Sequence, residues 1–300
     1  MTIEEILACP SCRNSLCKEN GYFKCVECSC HYPILEGDII DFISDNTKEG
    51  IHWDKEAQAD HIHAAVSVPK EDISNIFVKL PPMLQTSKFE GNIHVDLGCG
   101  YGRTLIYAIM TAHPLISIGV DISLTMLKKT REYASQYNVH PMLIRGNIGT
   151  LPLQSAMIDS IYSSAVLFHI QKNSVYEIIR EVARVLKKEG MVVFERSFPG
   201  WLNPDGFQTK IITSLFSSLL SPAWVRTYSY REVCSILTSG KHFSSLHIQP
   251  ENYKILPKAF FKYALPICAK ETINSMNESV SRILHFKNLF VSGWSVAGTK

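Results

Sequence analysis

The stretch "HVDLGCGYGRTL", residues 94–105, sets Gly98, Gly100 and Gly102 directly after a short apolar run and directly before a helical one. Glycines at this spacing let the backbone turn sharply and let a ligand lie against it with no Cβ in the way. A dinucleotide fingerprint would want its third glycine at position 103, where Arg103 stands. Asp121 lies 19 residues after Gly102, at the end of the next apolar run, where a carboxylate can accept from both hydroxyls of a ribose. With Asp96 before the loop and Asp121 after it, a nucleoside-type ligand is expected.

The surrounding pattern matches that context. From residue 91 onward apolar runs and helical periodicities alternate: "IHVDLG", then "RTLIYAIMTA"; "ISIGVD", then "SLTMLKKTREYASQY", with Ser123 as N-cap; "PMLIRGN" and "IDSIYSS"; "SVYEIIREVARVLKK", capped by Asn173 or Ser174 and ended by Gly190; then "MVVFERS". Such alternation predicts an α/β fold, a parallel sheet covered by helices on both faces. The tail reads as a helix ("YREVCSILTS"), a strand ("FSSLHIQPE") and a final strand ("LFVSGWSVAGTK") that joins the sheet edge region antiparallel. The insertion at about 251–288 would then leave from the ligand-binding edge of the sheet, as a lid does. Upstream, "EDISNIFVKLPPMLQ" spaces Ile73, Ile76, Phe77 and Leu80 as a helix that Pro81 and Pro82 stop.

These residues resemble the Rossmann-like S-adenosylmethionine-dependent methyltransferases over about residues 91–198. "RGNIGTLPLQSAMIDSIYSS" is similar to that family's "GDAxxLPFxDxxFDxVxSS" run, with Asn147 where aspartate is usual, and "SSAVLFHI" to its "VLHHI". The resemblance implies that Asp96, Gly98, Gly100, Gly102, Asp121, Ile122, Asn147, Ile148 and Ser164 surround S-adenosylmethionine. Asp121 would hold the ribose. Asn147 would accept from the adenine amine without a charge. His169 is the candidate general base, weighed against a histidine packed beside the sheet edge. Glu195, just past the fifth strand, is a second candidate, read first as a solvated or capping glutamate. A sulfonium is already activated, so the chemistry can proceed without an indispensable acid or base.

Six of the nine cysteines fall within residues 9–30. Cys9/Cys12 and Cys25/Cys28 form two Cys-x-x-Cys knuckles, a spacing that turns four thiolates toward one tetrahedral ion. Zinc in a closed structural site is the reading. Iron would fit the same sulfurs, and a redox pair would need only one knuckle. Cys30 competes for the fourth position, while Cys17 and His31 read as ordinary ribbon residues. "ILACPSCRNSL…YPILEGDIIDFI" resembles the zinc ribbon of the small activator subunit of tRNA and translation-factor methyltransferases. That resemblance implies a bracing or partner-docking module, or a substrate reader. The chain then divides into a ribbon (1–45), a helical linker (46–90) and a methyltransferase domain (91–300).

Charge separates those roles. Residues 1–45 carry Arg13, Lys18 and Lys24 against Glu4, Glu5, Glu19, Glu27, Glu36, Asp38, Asp41 and Asp45, a net −5 in a chain whose net charge is +2. An arm that grips phosphates needs lysines and arginines. The expected acceptor is therefore a small or amphipathic metabolite. The alternative is an RNA base, read through the ribbon and a body left at +7. The acidic N-terminus does not read as a secretory signal, and no apolar run is long enough to span a membrane, so a cytoplasmic protein is expected. Lys254, Lys258 and Lys262 beside "AFFKYALPI" mark a peripheral membrane contact as a further candidate, against an exposed lid face.

Overall fold

A computed structural model of the chain describes residues 2–43, 47–58, 92–216, 225–250, 291 and 293–300. The helix expected at 73–80, the insertion at 251–288 and the three lysines within it lie outside the described residues.

A one-turn helix α1 (Ile3–Ile6) leads into a four-stranded antiparallel meander: β1 (Leu16–Glu19), β2 (Tyr22–Cys25), β3 (His31–Leu35) and β4 (Ile39–Asp41). The apolar run "YPILEGDIID" supplies β3 and β4 and turns at Glu36 and Gly37, both with left-handed backbone. Helix α2 (Lys48–Gln58) follows.

The central sheet begins at β5 (Ile93–Leu97). All five residues of β5 are buried, as a strand covered on both faces requires. Then come α3 (Arg103–Ala112), β6 (Ile116–Asp121), α4 (Leu124–Gln136), β7 (Met142–Arg145), β8 (Ile158–Ser164), α5 (Lys172–Val185), β9 (Leu186–Pro199), α6 (Pro204–Phe216), α7 (Tyr230–Thr238), β10 (Ser245–Pro250) and β11 (Gly293–Thr299). Strand order is β1-β2-β3-β4-β7-β6-β5-β8-β9-β11-β10. Strands β4, β7, β6, β5, β8 and β9 run parallel, and β11 is antiparallel to both β9 and β10. The chain winds outward from β5 to β7 on one side and from β8 to β9 on the other. The order reverses beside β5, which places the ligand crevice at the end of that strand.

Two local readings change. Helix α5 starts at Lys172, with Gln171 at its N-cap, ahead of Asn173 and Ser174. It also stops at Val185 rather than at Gly190, because Leu186 already pairs with Ile158 and the ladder takes over the backbone there. Ser123 does cap α4, its Oγ accepting from Met126 N.

The ribbon does not stand apart from the sheet. β4 pairs in parallel with β7, with Asp41 opposite Arg145, so one eleven-stranded sheet runs through both. Ile6, Leu7, Phe23, Ile40 and Phe42 belong to the same buried cluster as Val95, Ile161 and Phe194. Leu7 bridges Leu153, and Ala8 N donates to Pro152 O at 3.0 Å. Arg13 reaches Leu151 O at 2.8 Å and Glu181 at 3.1 Å. The exposed acids of the β3–β4 turn reach across to α4: Glu36 pairs with Lys128 and Arg131, and Asp38 with Arg131. Part of the ribbon's negative charge thus meets α4. Among the described residues no helix is long and apolar enough to cross a membrane.

Candidate active site and metal centre

The glycine loop and the end of β6 are joined by one carboxylate. Asp121 Oδ2 accepts from Gly100 N and Oδ1 from Ser123 N, both at 2.9 Å. Burial pushes the Asp121 carboxyl up, while N–H bonds from Ser123, Gly100 and Ile122 oppose that shift. Each oxygen keeps a further lone pair for a ligand hydroxyl. Gly98, Gly100 and Gly102 all have left-handed backbone, with φ of 69°, 53° and 74°. The Gly98 Cα faces Val166, which joins this loop to the turn after β8.

Asp96 lies under the loop, almost wholly buried, and accepts from the Thr104 hydroxyl. Burial raises its carboxyl to about 7; nearby Asp121 and Glu195 add to the rise and Thr104 opposes it. Between an ordinary carboxylate value of about 4 and this value, the unfolded chain has lost a proton that the folded one retains. Asp96 therefore costs stability increasingly as pH rises from about 4 to 7. The expected result is that Asp96→Asn gains thermal midpoint relative to the parent across that window and levels off above it, as thermal melts at stepped pH would record.

Helix α2 forms a wall that the sequence reading left in the linker. Asp54 accepts from Ser123 Oγ at 2.6 Å and Thr125 N at 2.9 Å, and Lys129 Nζ donates to Ala57 O at 2.6 Å, pinning α2 to the start of α4. Trp53 meets the His169 ring edge-on, centroids 4.9 Å apart. Tyr101, between the second and third loop glycines, packs with Ala57 and Met126, and Trp53 and Tyr133 lie against that cluster. Its hydroxyl is buried without a partner among the described residues, a donor at the loop that suits a polar ligand. In the sequence Trp53 stands within a polar, histidine-bearing stretch.

His169 closes a short 3₁₀ turn, Leu167–His169, after β8 and is half-buried. Its carbonyl accepts from Arg226 Nη1 at 2.6 Å. Glu195 corrects the earlier reading. It lies within β9, buried rather than solvated, because β9 extends to Pro199 and sets it opposite Ser164. It accepts from the Tyr162 hydroxyl and from Ser164 Oγ at 2.7 Å. Ser164 is thus engaged within the sheet. Ile122 offers its carbonyl to Arg145, and Ile148 is buried. Asn147 is exposed, and its Oδ1 accepts from Gly149 N at 2.8 Å, which leaves the amide N–H₂ and one lone pair outward.

At the ribbon end of the sheet the structure gathers the four knuckle cysteines. One sulfur from each of Cys9, Cys12, Cys25 and Cys28 lies within 4.8 Å of the others. The sulfurs lie 3.5 Å (Cys9–Cys28), 3.3 Å (Cys12–Cys25) and 3.6 Å (Cys12–Cys28) apart. A tetrahedron with Zn–S of ~2.3 Å has edges of about 3.8 Å, so the donor set fits. Burial resists ionisation of Cys9, yet the Tyr32 hydroxyl, backbone groups of Cys12 and Ser11, and Cys28 bring it down to about 6. The Tyr32 hydroxyl lies 3.0 Å from the Cys9 sulfur and fixes that ligand from behind. Cys30 stands beside Cys28 but outside the four-sulfur group.

With this geometry in place, comparison with known proteins is informative. Residues 95–194 match the model of the methyltransferase-domain family. Over these residues the chain is similar to a methyltransferase domain. The matched segment runs from the glycine-loop strand to the middle of β9 and contains Asp96, Asp121 and His169. A malonyl-[acyl-carrier protein] O-methyltransferase from Marinomonas sp. (strain MWYL1) is 31% identical over 106 residues, 35% of this chain and 38% of that protein. A methyltransferase-named protein of Encephalitozoon cuniculi (strain GB-M1) is 30% identical over 103 residues, 34% of this chain and 43% of its own length. The matches thus span about two fifths of these relatives. Among solved structures, a Haemonchus contortus phosphoethanolamine N-methyltransferase with phosphomonomethylethanolamine and S-adenosylhomocysteine aligns with TM-score 0.51 at 16% identity, covering 75% of this chain and 52% of that one. A chain from the complex between the Haloferax volcanii Trm112 methyltransferase activator and a methyltransferase aligns with TM-score 0.50 at 16% identity, covering 86% and 99%. These likenesses establish the methyltransferase fold.

Proposed function

We propose that the chain transfers the methyl group of S-adenosylmethionine to a small or amphipathic acceptor, and that Cys9, Cys12, Cys25 and Cys28 hold a structural zinc. One observation carries the reading: inside the methyltransferase domain, Asp121 accepts from Gly100 N at 2.9 Å, making the glycine loop and the ribose-facing carboxylate one unit. When bound, S-adenosylmethionine supplies a methyl group already activated on a sulfonium. The chain's own task is to hold donor and acceptor in line and exclude water. Asp121 holds the ribose hydroxyls, Gly98 to Gly102 lie against the methionine portion, and Ile122 and Ile148 border the adenine, to which Asn147 presents its amide. His169, at the mouth beside Trp53, takes the proton that the acceptor releases. Glu195 orders Tyr162 and Ser164 at the same strand ends.

Two observations favour a small acceptor over RNA. The Marinomonas relative is named for a malonyl group. Glu36, Asp38 and Asp41 of the ribbon face the body's Lys128, Arg131 and Arg145. That arrangement suits a brace, and an acidic ribbon offers phosphates little. The test is to supply methyl-labelled S-adenosylmethionine with fractionated cell extract. Label in the small-molecule or lipid fraction is expected; label confined to RNA would replace this acceptor class with the nucleic-acid one.

A further inference from the structure

Arg145 joins three parts of the molecule that are distant in sequence. It is the last residue of β7 and is buried, as is Asp41, the last residue of β4 in the ribbon. Arg145 Nη1 donates to Asp41 Oδ2 at 3.0 Å, and the same guanidinium's Nε donates to the carbonyl of Ile122 at 3.3 Å. Main-chain bonds reinforce the junction: Phe42 N donates to Arg145 O at 2.8 Å and Gly146 N to Asp121 O at 3.0 Å. Asp41 is fixed in turn by Ile43 N at 2.9 Å.

Ile122 immediately follows Asp121, the carboxylate that holds the glycine loop. Gly146 immediately precedes Asn147, so both segments expected to contact the nucleoside meet at this one side chain. A guanidinium is a rigid fork and can serve two acceptors at a fixed angle, which a lysine ammonium does not. A buried ion pair is a poor source of stability compared with apolar packing of the same volume, so its presence calls for another role.

The geometry points to Arg145 as a positioning residue: through Asp41 and the Ile122 carbonyl, it sets the cofactor-binding segments 121–123 and 146–148 from the zinc ribbon. The ribbon therefore tunes cofactor affinity through one buried contact as well as adding core. This inference rests on the cofactor reading above.

The experiment is calorimetric titration of the full zinc-loaded chain with S-adenosylhomocysteine, with thermal melts on the same samples. Arg145→Lys keeps a charge opposite Asp41 but gives up the fork, and affinity should fall about tenfold. The pair Asp41→Asn/Arg145→Met removes both buried charges, so its melting temperature should return toward that of the parent. Its affinity should stay low, because the Ile122 carbonyl has lost its donor. Equal affinity in parent and double variant, at matched stability, overturns the positioning role alone. A parent chain that binds no S-adenosylhomocysteine overturns the reading of the site and this inference with it.

Discussion

Replacing Cys25 with serine, or stripping the metal with a chelator, should lower the thermal midpoint by about 10 °C or more and loosen the methyltransferase half as well as the ribbon. The reason is continuity. Cys9 and Cys25 are buried in the same cluster as Val95, Ile161 and Phe194, and β4 is paired to β7. An ion held by the four sulfurs would put much of its binding energy into folding, and this shared core would carry the effect into the body. Losing it frees Leu7 and Ala8 from Leu153 and Pro152, and Glu36 from Lys128 and Arg131. Bound zinc per chain and hydrogen exchange over residues 142–154 are the measurements. Cys30→Ser should keep full zinc, whereas Cys28→Ser should lose it. Full zinc after loss of Cys28 would hand the fourth position to Cys30.

Gly98→Ala should weaken S-adenosylhomocysteine binding by about 100-fold, or ~2.7 kcal/mol. Two costs combine. The residue has φ +69°, where an L side chain is strained, and its added Cβ would lie 2.4 Å from Val166 Cγ2. Valine is stiff at χ1 and has two further atoms close by, so the backbone of the loop must move rather than the neighbour. Gly21→Ala is the control. It has the same sign of φ, at +83°, with nothing within 4 Å, and it lies in the β1–β2 turn of the ribbon. It should leave affinity unchanged and cost only a little stability. Equal loss in both variants would mean that the glycine loop contributes backbone freedom alone.

How much of this was legible beforehand follows from the range of each interaction. The glycine loop, Asp121 and the alternation of strands and helices are local patterns, and the α/β sheet with β11 antiparallel follows them. The knuckle spacing is local too, and the four sulfurs do converge. Contacts between distant segments left no such trace. Asp41 and Arg145 are 104 residues apart, and neither neighbourhood announces a buried pair. Glu195 read as solvated because it lies near the end of the run "MVVFERS", whereas pairing with β8 and β11 carries β9 on to Pro199. Trp53 sat in a polar stretch whose docking depends on Asp54 capping a helix 71 residues away. The ribbon's acids were plain in the sequence, but their partners on α4 and β7 needed the fold to appear.

The most direct test is calorimetric titration of the intact chain with S-adenosylmethionine, beside Asp121→Ala. One cofactor should bind per chain, and the variant should bind about 100-fold more weakly through loss of two charge-assisted hydrogen bonds. No binding by the parent chain, or equal binding by both proteins, would contradict the account.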